Sequence, residues 1–265
     1  MADSAVHTIG ALNKLPYEDR LEYARMLIPP ALFERYQLNP DTLADDQGHP
    51  LLIWGGKAGT TAVELSLYHR HGASDPLMYF HITDTISQQL HVLLAVINDP
   101  DGPRFDVDKM PDGSKTHFGV FKRNVEAEQA AFQAGLAPGQ IRRGLRVLRN
   151  AMECFEAFAR QLGHEMYFVE PLSYHNAVIF ERYGFAYQQG RRWMQSLNTR
   201  FSPGSDLPPR LNGSTVFRQP EAAHSIRGRS WAIHDGILGE PFTGVTMYKR
   251  VGQDAEVSTF PDSVW

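Results

Sequence analysis

Histidines and carboxylates stand close together at several places in this chain, in patterns that proton-transfer or metal chemistry would use. His81 and Asp84 lie three apart in YFHITDT, and His91 opens HVLLAVI. Asp106 and Asp108 lie two apart in RFDVD, Glu126 and Glu128 follow in NVEAE, and His234 precedes Asp235 in WAIHDG. A histidine oriented by a carboxylate titrates near neutrality and can take or give a proton. The same side chains build iron, manganese or zinc sites. No HExxH or HxD spacing occurs, and no metal is assigned. On a strand, a three-residue step puts His81 and Asp84 on opposite faces unless a bulge intervenes, with His81 beside Tyr79 and Thr83. Arg227, Arg229, Trp231, His234 and Asp235 fall within nine positions. Guanidinium groups beside an indole suit an anionic, planar or acyl ligand. His81, Asp84, Arg229, Trp231 and His234 are therefore the candidate substrate contacts. Each also has a structural alternative: a turn cap, a helix-dipole partner, or a tie between the tail and the acidic stretch 99–112.

A second set of residues points to anion binding. The segment 138–146 reads PGQIRRGLR and opens an amphipathic run. A helix N-terminus there would present free amides and positive dipole to a phosphate. Glycine permits close backbone approach, and Arg142, Arg143, Arg146 and Arg149 add cationic donors. Further on, 176–185 reads NAVIFERYGF. The order of long helix, strand, short helix and a Gly-Phe pair opening a strand resembles the second half of the GNAT superfamily of acyl-CoA N-acyltransferases. The likeness is clearest over residues 138–190. The first segment is similar to that family's Q/R-x-x-G-x-G/A pyrophosphate loop, the second to its asparagine-alanine helix ending in Tyr-x-x-x-Gly-Phe. Ile141 stands where the loop pattern has Gln or Arg, Arg146 where it has a small residue, and Phe180 where the helix has its tyrosine.

The resemblance implies acetyl-CoA or another acyl-CoA as cofactor and a small-molecule amine as acceptor. It implies that Gly139, Gln140, Arg142, Arg143 and Gly144 hold the pyrophosphate and that Asn176 and Phe180 contact the pantetheine arm. Glu170, at the end of a strand flanking the site, is the candidate base, Tyr183 the candidate acid, and His175 a further catalytic candidate. Two other readings stay open. One is a different His/carboxylate site on the same scaffold, with or without a metal. The other is a ligand-binding or interaction protein without catalysis.

The elements that must position these groups follow from periodicity. Tyr17, Leu21, Ala24 and Ile28 form a helical stripe ended by Pro29-Pro30, and a second short helix follows. Four strands are expected at 51–54, 62–69, 77–85 and 90–97, as an antiparallel meander; Val63, Leu65 and Leu67 alternate with polar residues. Residues 98–114 read as a long loop around a short strand, RFDV. Asn124 caps a helix that Gly135 stops. The longest helix is expected over 139–162, carrying Ile141, Leu145, Leu148, Met152, Phe155, Ala159 and Leu162 on one stripe. A strand at MYFVEPL, a helix at YHNAVIFERYG, a strand at FAYQQGRRWMQSL and a last strand at VTMYKRV complete the chain. The expectation is one α+β domain over 1–265 with a GNAT-like, mainly antiparallel central sheet flanked by helices. It has N-terminal helices in 1–45, an inserted loop-helix segment at 98–137, and a C-terminal extension from 200 to 265 that completes the sheet.

Composition narrows the classes. The 265 residues carry 26 Lys+Arg against 30 Asp+Glu, a net charge of -4, which is not the footprint of a phosphate-driven nucleic-acid binder. With 42% hydrophobic and 11% aromatic residues the chain has the apolar area to fold. No run approaches the roughly 18 apolar residues of a membrane span, and the N-terminus lacks the pattern of a secretory signal. The single cysteine, Cys154, excludes an internal disulfide and fits a cytoplasmic setting. The expected partner is a small-molecule substrate, not nucleic acid or membrane, and aromatic residues in the tail would support a homodimer.

Overall fold

The computed structural model describes residues 6–116, 122–261 and 263–265; residues 1–5 of the N-terminal region and 117–121 of the inserted region lie outside the described residues. Three helices come first: α1 (Ile9–Leu12), α2 (Tyr17–Met26) and α3 (Pro30–Tyr36). The meander follows as β1 (Leu52–Trp54), β2 (Ala62–Leu67), β3 (Met78–Asp84) and β4 (Leu90–Ile97). Then come α4 (Val125–Gln133), α5 (Leu148–Gln161), β5 (Met166–Val169), α6 (Tyr174–Arg182), β6 (Ala186–Gln189), α7 (Arg191–Arg200), α8 (Ile226–His234) and β7 (Thr246–Arg250). The chain is thus α+β. Among the described residues it has eight α-helices and one mixed seven-stranded sheet in the order β1-β2-β3-β4-β5-β7-β6. It divides into two compact units, one of residues 1–101, 144–170 and 248–253, the other of 102–143, 171–247 and 254–265.

In the first unit, β1 to β4 pair antiparallel in sequence, as the alternation of β2 requires. Val63, Leu65, Leu67, Met78, Phe80, Ile82, Leu90 and Val92 are buried on one face. Helix α5 supplies Phe155, whose ring lies 6.2 Å from Phe80 and 4.7 Å from Tyr167. The opposite face carries Ser66 and Tyr79 as ladder partners, then Glu64 and His81, then Thr83 and His91. One register shift occurs. His81 pairs with Leu94 but Ile82 pairs with Val92, so Leu93 is an extra residue on β4.

Helix α5 corrects the expectation of a helix from residue 139. Gly139 has φ +80, Arg146 is left-handed at φ +61, and the helix starts at Leu148. Leu145 and Ile141 happen to continue its apolar spacing. Ile141 instead packs against a core cluster of the second unit, built on Val107, Ala131, Leu136, Phe217 and Trp231.

That second unit holds two further corrections. RFDV forms no strand; Val107 is buried in the cluster, and the Arg104 guanidinium holds Asp106 and Asp108. The strand expected over residues 185–197 ends at Gln189. Gly190, at φ +94, turns the chain into α7, where Met194, Leu197 and Phe201 bury a helical stripe. A Cβ on Gly190 would stand 2.8 Å from the Gly244 carbonyl oxygen, so glycine is required by both conformation and space. Asn124 caps α4 as expected, its side chain accepting from the Ala127 amide.

Candidate functional site

In the first unit, β4 and β5 are parallel and share only three paired positions: Leu90 with Tyr167, His91 with Phe168, and Val92 with Val169. The Glu170 amide still donates to the Val92 carbonyl, at 3.3 Å. Beyond it β5 has ended, while β4 runs on to Ile97 paired with β3. The two central strands therefore part beside Glu170, at the position of the Leu93 bulge. Bulges recur beside active sites because they take a residue out of the ladder and re-aim its neighbours.

The polar face at this parting is chemically dense. Glu170 is exposed at the end of β5, close enough for its charge to act on His91. Burial holds the His91 imidazole below its ordinary value, and the Glu170 carboxylate opposes that shift only in part. Its Nε2 is buried and has no hydrogen-bond partner. The Phe168 ring stands edge-on at 6.4 Å. Two rows away, Tyr79 is pushed up to about 12 by burial and by its hydrogen bond to Glu64. His81 lies between these rows, on the face shared with Tyr79 and Thr83, as strand alternation requires. His91 was visible in the sequence as the single ionisable residue of an apolar strand, HVLLAVI, yet nothing in the spacing placed it opposite Phe168, two residues before Glu170.

Asp84 points to the other face. Its two oxygens accept from the amides of Ile9 and Gly10, each at 2.8 Å, and so cap α1. It is a structural anchor for the first helix.

The segment 138–146, expected from the sequence to bind an anion, is rearranged by the late start of α5. Gln140 closes a turn by accepting from the Ala137 amide at 2.7 Å. Arg142 donates to the Gly102 carbonyl, and Arg143 to that of Ala134 at 3.2 Å. The helix N-terminus lies instead at Val147, whose own side chain makes no capping hydrogen bond. Gly144 approaches it past the end of β4, with its Cβ position 3.5 Å from the Ile97 carbonyl oxygen. Arg146 and Arg149 are exposed beside it.

In the second unit, Asn176 and Phe180 on α6 and Tyr183 at its C-cap are half-buried, with the Phe180 and Phe185 rings 5.0 Å apart. His175 faces inward and is 4% exposed. Its Nδ1 is 2.8 Å from Ser230 Oγ, which also accepts the His175 amide at 3.4 Å. Burial pushes this histidine down to about 3, with the neighbouring His234 adding to the shift. The imidazole is therefore neutral and serves to join α6 to α8. Trp231 is fully buried and donates to the Leu136 carbonyl at 2.8 Å. Arg229, 4% exposed, donates to Ala223 O and Asn198 Oδ1 and lies 3.5 Å over the Phe260 ring. Both hold α8 in place. Arg227 likewise donates to the Phe132 carbonyl, so neither arginine of α8 reaches for the acidic stretch.

His234 belongs to an ion network. Its Nε2 is 2.9 Å from Glu128 Oε1, and Arg123 grips Glu128 Oε2 through two nitrogens at 2.6 and 2.9 Å. Arg123 also donates to Asp235 Oδ1, while Arg218 and Thr215 donate to Oδ2. All four carboxylate oxygens of Glu128 and Asp235 are thus engaged inside the network. Burial pushes Glu128 up, but His234 and Arg123 outweigh it and leave the carboxyl below its usual range. Among the described residues no group of three or more His, Cys, Asp or Glu side chains converges as a metal site, and no helix is long and apolar enough to cross a membrane. Comparison with protein-family models, with curated proteins and with solved structures gave no match to this chain.

Proposed function

We propose that the protein is an acyl-CoA-dependent N-acyltransferase acting on a small-molecule amine, with its reaction centre on the polar sheet face of the first unit. One observation carries the reading: parallel central strands that part beside a histidine and a carboxylate. The antiparallel meander β1 to β4 and the place of the C-terminal strand β7 within the sheet are in keeping with the mainly antiparallel, C-terminally completed sheet that the GNAT resemblance implies. The anionic end of the cofactor is assigned to the first turn of α5 with Gly144 and Arg146, in place of Arg142 and Arg143. Acyl-CoA, when bound, supplies an activated thioester carbonyl. The protein's own part is to bind, to orient the amine and to remove its charge, because an ammonium has no lone pair with which to attack. Glu170 places negative charge where such a cation would sit.

The reading is tested by following thiol release from acetyl-CoA and longer acyl-CoAs against a panel of primary amines. Amine-dependent release, lowered by Glu170→Gln, supports it. Release no faster than the uncatalysed background with every pair defeats it.

A further inference from the structure

We infer that the second unit carries a binding site for a neutral sugar, in a cleft of about 410 Å³ lined by the end of β6, the start of α7 and the loop 240–244. None of its residues belongs to the acyl-transfer reading, and the inference does not depend on that reading. The volume falls within the range of small-ligand sites, about 300–1,000 Å³. The cleft is built on fixed chain. Gly190 has φ +94 and stands against the Gly244 carbonyl oxygen, so two of the lining segments meet with no side chain between them. Gly239 at φ +79 and Gly244 at φ +73 bend the loop at its ends. The Phe242 ring holds its middle, edge-on at 6.3 Å to the buried Tyr174 ring of α6. Pro241 and Thr243, the neighbours of Phe242, border the cleft. On α7 the adjacent Met194 is buried in the core, while Trp193 is half-buried and lines the cleft. A site held in this way has little ordering entropy left to lose when a ligand enters.

The lining restricts the ligand. Trp193 and Pro241 offer apolar surface, and the negative face of an indole attracts the C–H groups of a sugar ring. Gln189 offers both donor and acceptor, Thr243 a hydroxyl that is both, and Glu240 a carboxylate that accepts charge-assisted bonds from hydroxyls. The hydroxyls along one edge of a pyranose present the complementary mixture. An anion is opposed by Glu240, the ionisable side chain of the lining. Arg200, which stands 6.0 Å from the Trp193 ring, is taken up by Asp206 at 2.8, 3.1 and 3.2 Å. A cation is opposed by the positive end of α7, whose N-cap is Gly190 and whose first turn begins with Arg191 and Arg192, both exposed. A neutral polyhydroxylated ring meets neither repulsion.

The test is an NMR titration of the full chain, read at the Trp193 indole N–H signal, which is identified by its loss in Trp193→Phe. The probes are the methyl glycosides of glucose, galactose, mannose and N-acetylglucosamine, with choline chloride and inorganic phosphate as charged alternatives. At least one glycoside is expected to shift the signal to saturation with a dissociation constant of about 1 mM, the strength open to a ligand of about a dozen heavy atoms. Glu240→Gln, at an exposed position, is expected to weaken that binding about three- to tenfold. Trp193→Ala, followed by saturation transfer to the glycoside, is expected to weaken it about tenfold. Glu240→Gln carries the comparison if Trp193→Ala fails to fold. No shift with any of the glycosides at about 50 mM overturns the inference. So does a shift by choline or phosphate alone, or glycoside binding that is unchanged in either folded variant. The acyl-transfer reading stands or falls separately, on thiol release.

Discussion

At the scale of single residues, the buried histidines and carboxylates divide into those whose hydrogen bonds tie the fold together, such as His175 and Glu128, and those that keep a buried atom outside such a bond, such as His91. His175 illustrates the first kind. Its folded-state pKa is about 3 against 6.5 for the free side chain. Between those values the unfolded chain binds a proton that the folded protein does not, so stability falls as pH falls through that window. Each pH unit there costs up to about 1.4 kcal/mol. Urea unfolding of wild type and His175→Gln at pH 7 and pH 5 checks this: the wild type is expected to lose more stability than the variant. Glu128 acts in the same direction, lower on the pH scale. Its depressed pKa means that its contribution is present above the unfolded value and lost as pH drops through the folded one. Glu128→Ala leaves Arg123 and His234 short of their shared carboxylate at a site where Glu128 is 3% exposed, and about 3 kcal/mol of stability should go with it. Thermal denaturation measures that loss. At this scale the sequence drew attention to chemical groups but not to their partners. His234, Asp235, Glu128 and Arg229 stood out as chemical groups, yet their partners come from positions as distant as Arg123, Asn198 and Phe260, which no local spacing encodes.

At the scale of elements, helix ends decide where chemistry can occur. The apolar spacing of Ile141 and Leu145 extends the stripe of α5 backwards, but Arg146 in a left-handed conformation interrupts it. The helix terminus expected to receive an anion therefore moves from Gly139 to Val147, and Arg142 and Arg143 bond to carbonyls. The four strands of the meander were legible because alternation with turn residues between is a short-range signal. Helix α7 was also legible, in Met194, Leu197 and Phe201, but the strand reading carried past Gly190 and hid it. Two substitutions test these element-level statements. Gly190→Ala must adopt φ +94 and meet the Gly244 carbonyl oxygen, and should cost about 1–3 kcal/mol in chemical denaturation. Asp84→Ala removes both acceptors for the Ile9 and Gly10 amides. It should cost about 0.5–2 kcal/mol without changing the far-UV circular dichroism of the sheet.

At the scale of the whole molecule, a net charge of -4 gives no hint of an anion site, and the two units explain why. In the second unit Asp106, Asp108, Glu128 and Asp235 are paired inside it with Arg104, Arg123 and Arg218. In the first unit Arg146 and Arg149 stand exposed at a helix N-terminus. Reaction centre and anion site are both assigned to this unit. The most direct measurement is isothermal titration calorimetry of the full chain with acetyl-CoA and with longer acyl-CoAs. The account predicts one site with a dissociation constant of about 10–100 μM, weakened by added salt and weakened about tenfold in an Arg146→Ala variant that keeps its thermal stability. No binding of any CoA species at high micromolar concentration, or binding indifferent to Arg146, would contradict it.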